Sequence, residues 1–387
     1  DLFLSIISVI FLFIVIKEKN YKLFKSRFFL FFSLFWIYLL LNSIISEFPL
    51  FSLKSSIVYF RFGLFVLATL YLLQNNKNFI SNFTLAFLAT YCFALIDGYY
   101  QFIYSQSIFG FDNEHLVRLN LPLNDDLLLG NYLARLFPIL FALIILNFSQ
   151  NKTYIIFISF LFILTDVLVF LTGERTALGL LLLFTFLIII FLKSFKLIRI
   201  ITFLVSIICI IVISFNDIDI KKRNIDTTIS QLGINSESER LNLFSPGHES
   251  HFIGAWNMFK HNYIFGVGVN NFRNLCADEK YNYDKSTCST HPHNTLAQII
   301  AELGAIGLLV YLLLIFYISY QMISYIISFI IYKKILLSDS QLCLLFAITL
   351  SLWPLIPSLN FFHNWINIIY YLPIGFLLFN LKKEKVI

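Results

Sequence analysis

Charge is scarce in this sequence. Asp, Glu, Lys and Arg supply 13% of its 387 residues, where a soluble domain carries about 25%. That shortage excludes a string of soluble domains, whose surfaces need polar cover. No internal repeat stands out, which argues against a carrier built from inverted repeats. No acidic metal cluster is assigned in this sequence, and no cofactor is expected. The first apolar run has no basic stretch before it and no small-residue cleavage pattern after it, so segment 2–16 is not expected to be a secretory signal peptide.

Apolar residues are abundant. They make up 59% of the chain, Phe alone fills 46 positions, and mean hydropathy is +0.81. Eleven segments are long and apolar enough to read as membrane spans: 2–16, 28–46, 56–73, 79–103, 127–147, 154–172, 176–193, 197–215, 294–332, 341–360 and 364–380. Their unbroken runs predict an all-α polytopic membrane protein, since barrel strands would alternate over about ten residues. The segment 294–332 is too long for one upright crossing. It predicts either first turns at the membrane surface or a strong tilt.

Lys and Arg orient the spans. One set of alternate short loops and ends carries fifteen of them, and the other carries Lys54, Arg118 and Arg175. The first set is assigned to the cytoplasm. The net charge of +6 therefore reflects topology and not nucleic-acid binding. With this orientation the N-terminus lies outside, and a further helix is expected ahead of Asp1. Three regions follow: spans over 1–215, a large outer loop over 216–292, and spans over 293–387. The loop holds eight Lys/Arg, nine acids and four of the seven histidines. Structureless loops of that length are uncommon without a function. Within it, Ile253–His261 reads as helix and Phe265–Val269 as a turn.

Cys92, Cys209 and Cys343 fall in apolar spans and read as small buried hydrophobes. Cys276 and Cys288 share the outer loop and are expected to form a disulfide in an oxidising compartment. The competing reading is zinc held by Cys276, Cys288, His291 and His293, a spacing that matches no standard zinc pattern.

Charges in or beside spans are expensive and mark functional candidates: Arg61, Asp97, Arg135, Asp166, Arg175 and Glu302. The plain alternative for the first three is an interhelical pair of Arg61 or Arg135 with Asp97. For Asp166 it is a helix–helix hydrogen bond. Arg175 sits in Thr172-Gly-Glu-Arg175, a hairpin between two spans at the outer boundary. A guanidinium there suits bidentate phosphate binding, and an interfacial anchor is the alternative. His293 begins the next helix after the loop, where a neutral imidazole can act as general base, with Asn294 and Thr295 as helix caps. Glu302 lies nine residues on, near the opposite side of an ideal helix, which makes a His293–Glu302 dyad doubtful. Arg118, Asp125 and Asp126 read as solvated loop residues.

Three motifs occur in order: Gly173-Glu-Arg-Thr-Ala177, Ala255-Trp-Asn-Met-Phe through Phe272, and His291-Pro-His-Asn294 with Glu302-Leu-Gly304. Together with eight spans before the loop and three after it, the chain resembles the O-antigen ligase/polymerase superfamily of bacterial envelope glycosyltransferases. The resemblance implies a GT-C-like bundle of about twelve spans, which accords with a further N-terminal helix. It also implies a multi-pass protein of the inner membrane with its active site on the periplasmic face. The implied donor is a glycan on undecaprenyl diphosphate, and the implied acceptor is lipid A-core or another glycan. His293 takes the place of the family's base and Arg175 that of its diphosphate-binding arginine. A second basic position falls to Arg240, or to His248 or His251. Ligation of O-antigen to lipid A-core is the leading expectation and repeat-unit polymerisation the alternative. A lipid or solute transporter using Arg61, Asp97 and Arg135 is the reading from a different class.

Overall fold

Backbone amides that leave water for lipid must find partners inside their own segment, so the apolar runs fold as helices. The computed structural model describes residues 2–111, 118–122, 127–147, 152–216 and 244–384, with Lys222, Asp226 and Ile229 between them. Its helices, in chain order, begin with α1 (Leu2–Glu18), α2 (Arg27–Ile44), α3 (Pro49–Asn75) and α4 (Phe79–Tyr104). Next come α5 (Leu129–Asn147), α6 (Lys152–Leu171), α7 (Arg175–Phe191) and α8 (Lys196–Asn216). The remainder are α9 (Pro246–His261), α10 (Phe272–Leu275), α11 (Thr295–Tyr332), α12 (Asp339–Ser351) and α13 (Asn364–Glu384).

Eight of the described helices are long and apolar enough to cross a membrane: α2 to α6, α8, α11 and α13. The chain is a multi-pass membrane protein. Helices α1, α7 and α12 are shorter, at 17, 17 and 13 residues.

One expectation needs correcting. The segment 341–360 is not one span, because α12 stops at Ser351 and residues 352–363 are irregular. Pro354 and Pro357 cause this by removing backbone donors and restricting the residues before them. The long segment 294–332 is helical almost throughout but breaks at Gly304 (φ 62°, ψ −156°). A Cβ on Gly304 would lie 2.4 Å from the Ile264 carbonyl oxygen. Glycine is required there both for its left-handed φ and for the close approach of a second backbone.

The residues group into two compact units. The first comprises 1–77, 244–324 and 351–387. Its centre is α3, which packs against α1, α2 and α13. Tyr59 is its buried hub, donating to Asn367 Oδ1 at 2.9 Å, stacked on Phe32 and meeting Phe62 and Tyr371 edge to face.

The second unit comprises 78–243 and 325–350. Here α5 is the buried helix, and Phe137 and Phe141 meet Phe162 of α6 and Phe184 of α7 edge to face. Asp166 of α6 forms a two-pronged pair with Arg199 of α8, at 2.7 and 3.0 Å. Ser206 adds a donor to the same carboxylate at 3.0 Å, and Thr185 Oγ1 accepts from the guanidinium. Asp166 is thus a helix–helix partner, and Arg199 is a buried ion-pair residue despite its place among the basic loop residues.

Candidate functional site

Two groups of candidate side chains stand out, one in each unit. The first begins at Ser245, where α9 starts on Pro246, a residue suited to a helix's first turn. His248 and His251, three apart, share a face of its first turns. Ser245 Oγ meets His248 Nδ1 at 2.6 Å. His251 Nδ1 donates to the Thr287 carbonyl at 3.0 Å. Cys276 and Cys288 are joined in a disulfide, with Cα atoms 5.1 Å apart, so their sulfurs are not available as zinc thiolates. Cys288 stands between Thr287, which anchors His251, and Ser289, whose hydroxyl meets His293 Nε2 at 2.9 Å.

His293 adopts a left-handed φ of 52°, uncommon for a residue with a side chain. Residues 352–363 hold it there. Ser358 N donates to the His293 carbonyl at 2.8 Å, and Asn294 Nδ2 donates to the Pro354 carbonyl at 2.7 Å. Asn294 Oδ1 accepts from Ala297 N at 3.0 Å and so caps α11. His291 is buried, with Nε2 donating to the Ser358 carbonyl at 3.2 Å and Nδ1 meeting Thr290 Oγ1. Four imidazoles gather as a result. The His293 ring centre lies 4.1 Å from that of His291, 5.3 Å from His251 and 5.6 Å from His248.

Burial, then the neighbouring His251 and His248, push His293 down to about 4. Burial and His293 push His291 down to about 3. Both rings are therefore neutral near pH 7, and half-buried His293 is the one able to take a proton from an incoming group. Glu302 is committed elsewhere. Its carboxylate accepts from Asn270 N, Phe272 N and Gln298 Nε2, each at 3.0 Å. It fixes the turn at 270–272 and forms no dyad with His293.

Closing a 12-residue separation by a disulfide stabilises a fold by about 3 kcal/mol in the chain-entropy account. Cys276→Ser with Cys288→Ser is expected to lower the melting temperature of the purified protein. It should also make Thr287 and Ser289 amides exchange faster. Unchanged exchange at both would show that the bridge does not hold the histidine anchors.

The second group lies at the α6–α7 hairpin. Gly173 takes a positive φ of 67°, and the Thr172 hydroxyl donates to the Val169 carbonyl at 2.7 Å. Glu174 reaches to the start of α5. It accepts from Gly130 N at 2.6 Å, Asn131 N at 3.2 Å and Asn131 Nδ2. These are amides that a helix's first turn leaves unpaired. Gly130 is needed for this approach, since a Cβ there would lie 2.4 Å from Thr172 Oγ1. Burial pushes Glu174 up to about 6, against the lowering pull of these donors and of Arg118. Arg175, the first residue of α7, is exposed beside this clamp. It lines a crevice with Val169, Phe170, Glu174 and Leu178.

Of the residues expected from sequence, the fold brings His248, His251 and His293 together in one unit. It sets Arg175 on a clamped hairpin in the other. Arg240 lies outside the described residues. Asp97 accepts from Gln101 Nε2 at 2.6 Å and from Ile108 N at 2.7 Å. Arg61 donates to Ser5 and Asn364 side chains. Sequence reasoning missed Ser289, Thr287 and Ser358, and the prolines at 354 and 357 signalled only the last of these. It read Arg118 as a solvated loop residue and did not foresee that its charge acts on Glu174. Residues 157–312 match the family model described as O-antigen ligase, a stretch that includes the Arg175 hairpin and all four clustered histidines. No curated protein matches the chain.

Proposed function

From the O-antigen ligase superfamily domain at residues 157–312, which implies glycan handling of the ligase or polymerase type, we propose that the protein is a periplasmic-face membrane glycosyltransferase. It moves a glycan from undecaprenyl diphosphate to a sugar hydroxyl of lipid A-core. The observation that carries this reading is the mount of His293: a neutral, half-buried imidazole with one nitrogen on Ser289 and its backbone pinned by Ser358.

In this reading His293 takes the proton of the acceptor hydroxyl as general base. The acceptor oxygen forms a bond to the anomeric carbon, and the bond from that carbon to the diphosphate oxygen breaks on the opposite face, inverting the centre. Undecaprenyl diphosphate leaves with the electron pair. Arg175 binds its phosphates through paired N–H donors and stabilises the growing charge, the task a metal performs elsewhere. His248 and His251 line the approach to His293 and contact the glycan or diphosphate.

Complementation of a ligase-deficient strain tests the assignment, with compatible donor and core and with expression checked. Wild type is expected to restore the lipopolysaccharide ladder, and Arg175→Ala to lose it with glycan left on the carrier lipid. Well-expressed wild type that yields no ladder in this strain, yet extends single repeats in a polymerase-deficient strain, would assign the chain to polymerisation.

A further inference from the structure

The stretch after α9 leaves the helix at Asn262 and runs irregularly to Asn271, with positive φ at Gly266, Gly268 and Asn270. Its backbone is bonded to spanning helices. At the Gly304 break, Ala305 N donates to the Tyr263 carbonyl at 2.7 Å and Ile306 N to the Ile264 carbonyl at 3.4 Å. In return, Val267 N donates to the Ala301 carbonyl at 2.9 Å and Gly268 N to the Glu302 carbonyl at 3.0 Å. Asn42 of α2 donates to the Phe265 carbonyl and accepts from Val269 N at 3.1 Å. Tyr38, six residues before the last residue of α2, donates to the Leu303 carbonyl. At 1.5 Å per residue, that contact is about 9 Å below the end of α2.

A segment tied this closely to two spans lies at bilayer depth. Irregular backbone survives there only when its polar groups turn toward protein. The carbonyls of Tyr263, Ile264 and Phe265 all do so. Their side chains are exposed at 62%, 43% and 44%. Trp256 on α9 is exposed at 50%. Leu41 of α2, next to the bonded Asn42, and Leu309 of α11, three residues after the bonded Ile306, are exposed apolar residues on helices of spanning length.

We propose that Trp256, Tyr263, Ile264 and Phe265 form an apolar wedge that inserts among phospholipid acyl chains, in the leaflet that holds the C-terminal end of α2. The part of the long polar segment that carries His248 and His251 is then moored to the bilayer by its own following turn. Aromatic rings with a polar edge suit this depth. The bonds to two spans and the exposed apolar side chains that those spans carry beside them select lipid as the occupant. The proposal does not depend on the transferase reading, since it concerns attachment and not chemistry.

Fluorescence quenching tests it in the full chain reconstituted into nanodiscs of phosphatidylcholine brominated on the acyl chains. One protein keeps only Trp256, through Trp36→Phe, Trp353→Phe and Trp365→Phe. A second also carries Trp256→Phe and Phe265→Trp. Both are expected to lose about half of their emission relative to unbrominated lipid, as for groups buried at the acyl boundary. Emission that is unchanged by bromine and quenched by aqueous iodide would overturn the wedge. If those proteins fail to fold, Ile264→Cys and Lys260→Cys in the otherwise native chain serve instead, labelled with a membrane-impermeant maleimide. Lys260→Cys is expected to react and Ile264→Cys to resist. Equal labelling overturns the proposal, as does resistance that vanishes on dilution of a dimer, which would give the face to a second copy.

Discussion

His293→Ala is expected to lower glycan transfer about 10²–10⁴-fold, the usual worth of a general base, without reducing the amount of folded protein. The alanine keeps the carbonyl that Ser358 N binds, so the backbone mount survives. What disappears is the nitrogen proposed to take the acceptor proton. The pH profile separates this role from packing. Burial, then His251 and His248, hold the group near 4 instead of its ordinary 6.5. The base form therefore persists as pH falls, and the acid limb of kcat/KM should lie near pH 4. His251→Asn, by removing one of the lowering neighbours, should move that limb upward. Retention of full transfer by His293→Ala, or an acid limb at the ordinary value that ignores His251→Asn, would end the assignment. The same shift acts on stability. A folded-state value below the unfolded one favours folding above about pH 6.5, and this contribution is lost as pH drops toward 4.

The second large effect is structural. Asp166→Ala is expected to destabilise the second unit by about 3–5 kcal/mol, the cost of leaving a buried charge without its partner. Arg199 is 1% exposed in its side chain, lies over the Phe162 ring at 4.6 Å and has Asp166 as its anionic partner. Removing the carboxylate strands the guanidinium among apolar rings and also deprives Ser206 of an acceptor. Asp166→Leu with Arg199→Met should recover most of the loss, because it removes both charges and fills the space. Thermal melts in detergent would show this as a large fall for the single variant and near recovery for the double. Equal melts for wild type and Asp166→Ala would mean that the pair adds nothing to the fold.

The membrane helices were legible because long apolar runs leave few alternatives, and a helix lies in each of the eleven segments. The failures have physical causes. Trp353 to Ser358 is apolar enough to extend a span, and hydropathy outvoted the two prolines that end it. The length of 294–332 signalled a departure from one straight helix. Its form, a break at Gly304 mated to Tyr263 and Ile264, depends on backbone pairing between distant segments, which leaves no periodic mark. Arg199 counted as a loop cation because nothing local names Asp166, 33 positions earlier, as its partner. At the candidate site, His293 and Arg175 were recognisable from motifs and location. The convergence of His248 and His251 on His293 follows from Thr287 and Ser289, two ordinary loop residues whose role only the fold reveals.

The mount of the His291–Thr295 stretch is finished by residues far downstream in the sequence. Ser358 N, the Ser358 carbonyl and the Pro354 carbonyl secure His293, His291 and Asn294 from about sixty positions downstream. During synthesis the histidines leave the ribosome well before their supports do. A chain interrupted before residue 352 displays the whole histidine motif without the Pro354 and Ser358 bonds that pin its backbone. The order of translation therefore acts as a timer, and the imidazole cluster reaches this geometry only once residues 354–358 have also been made and inserted.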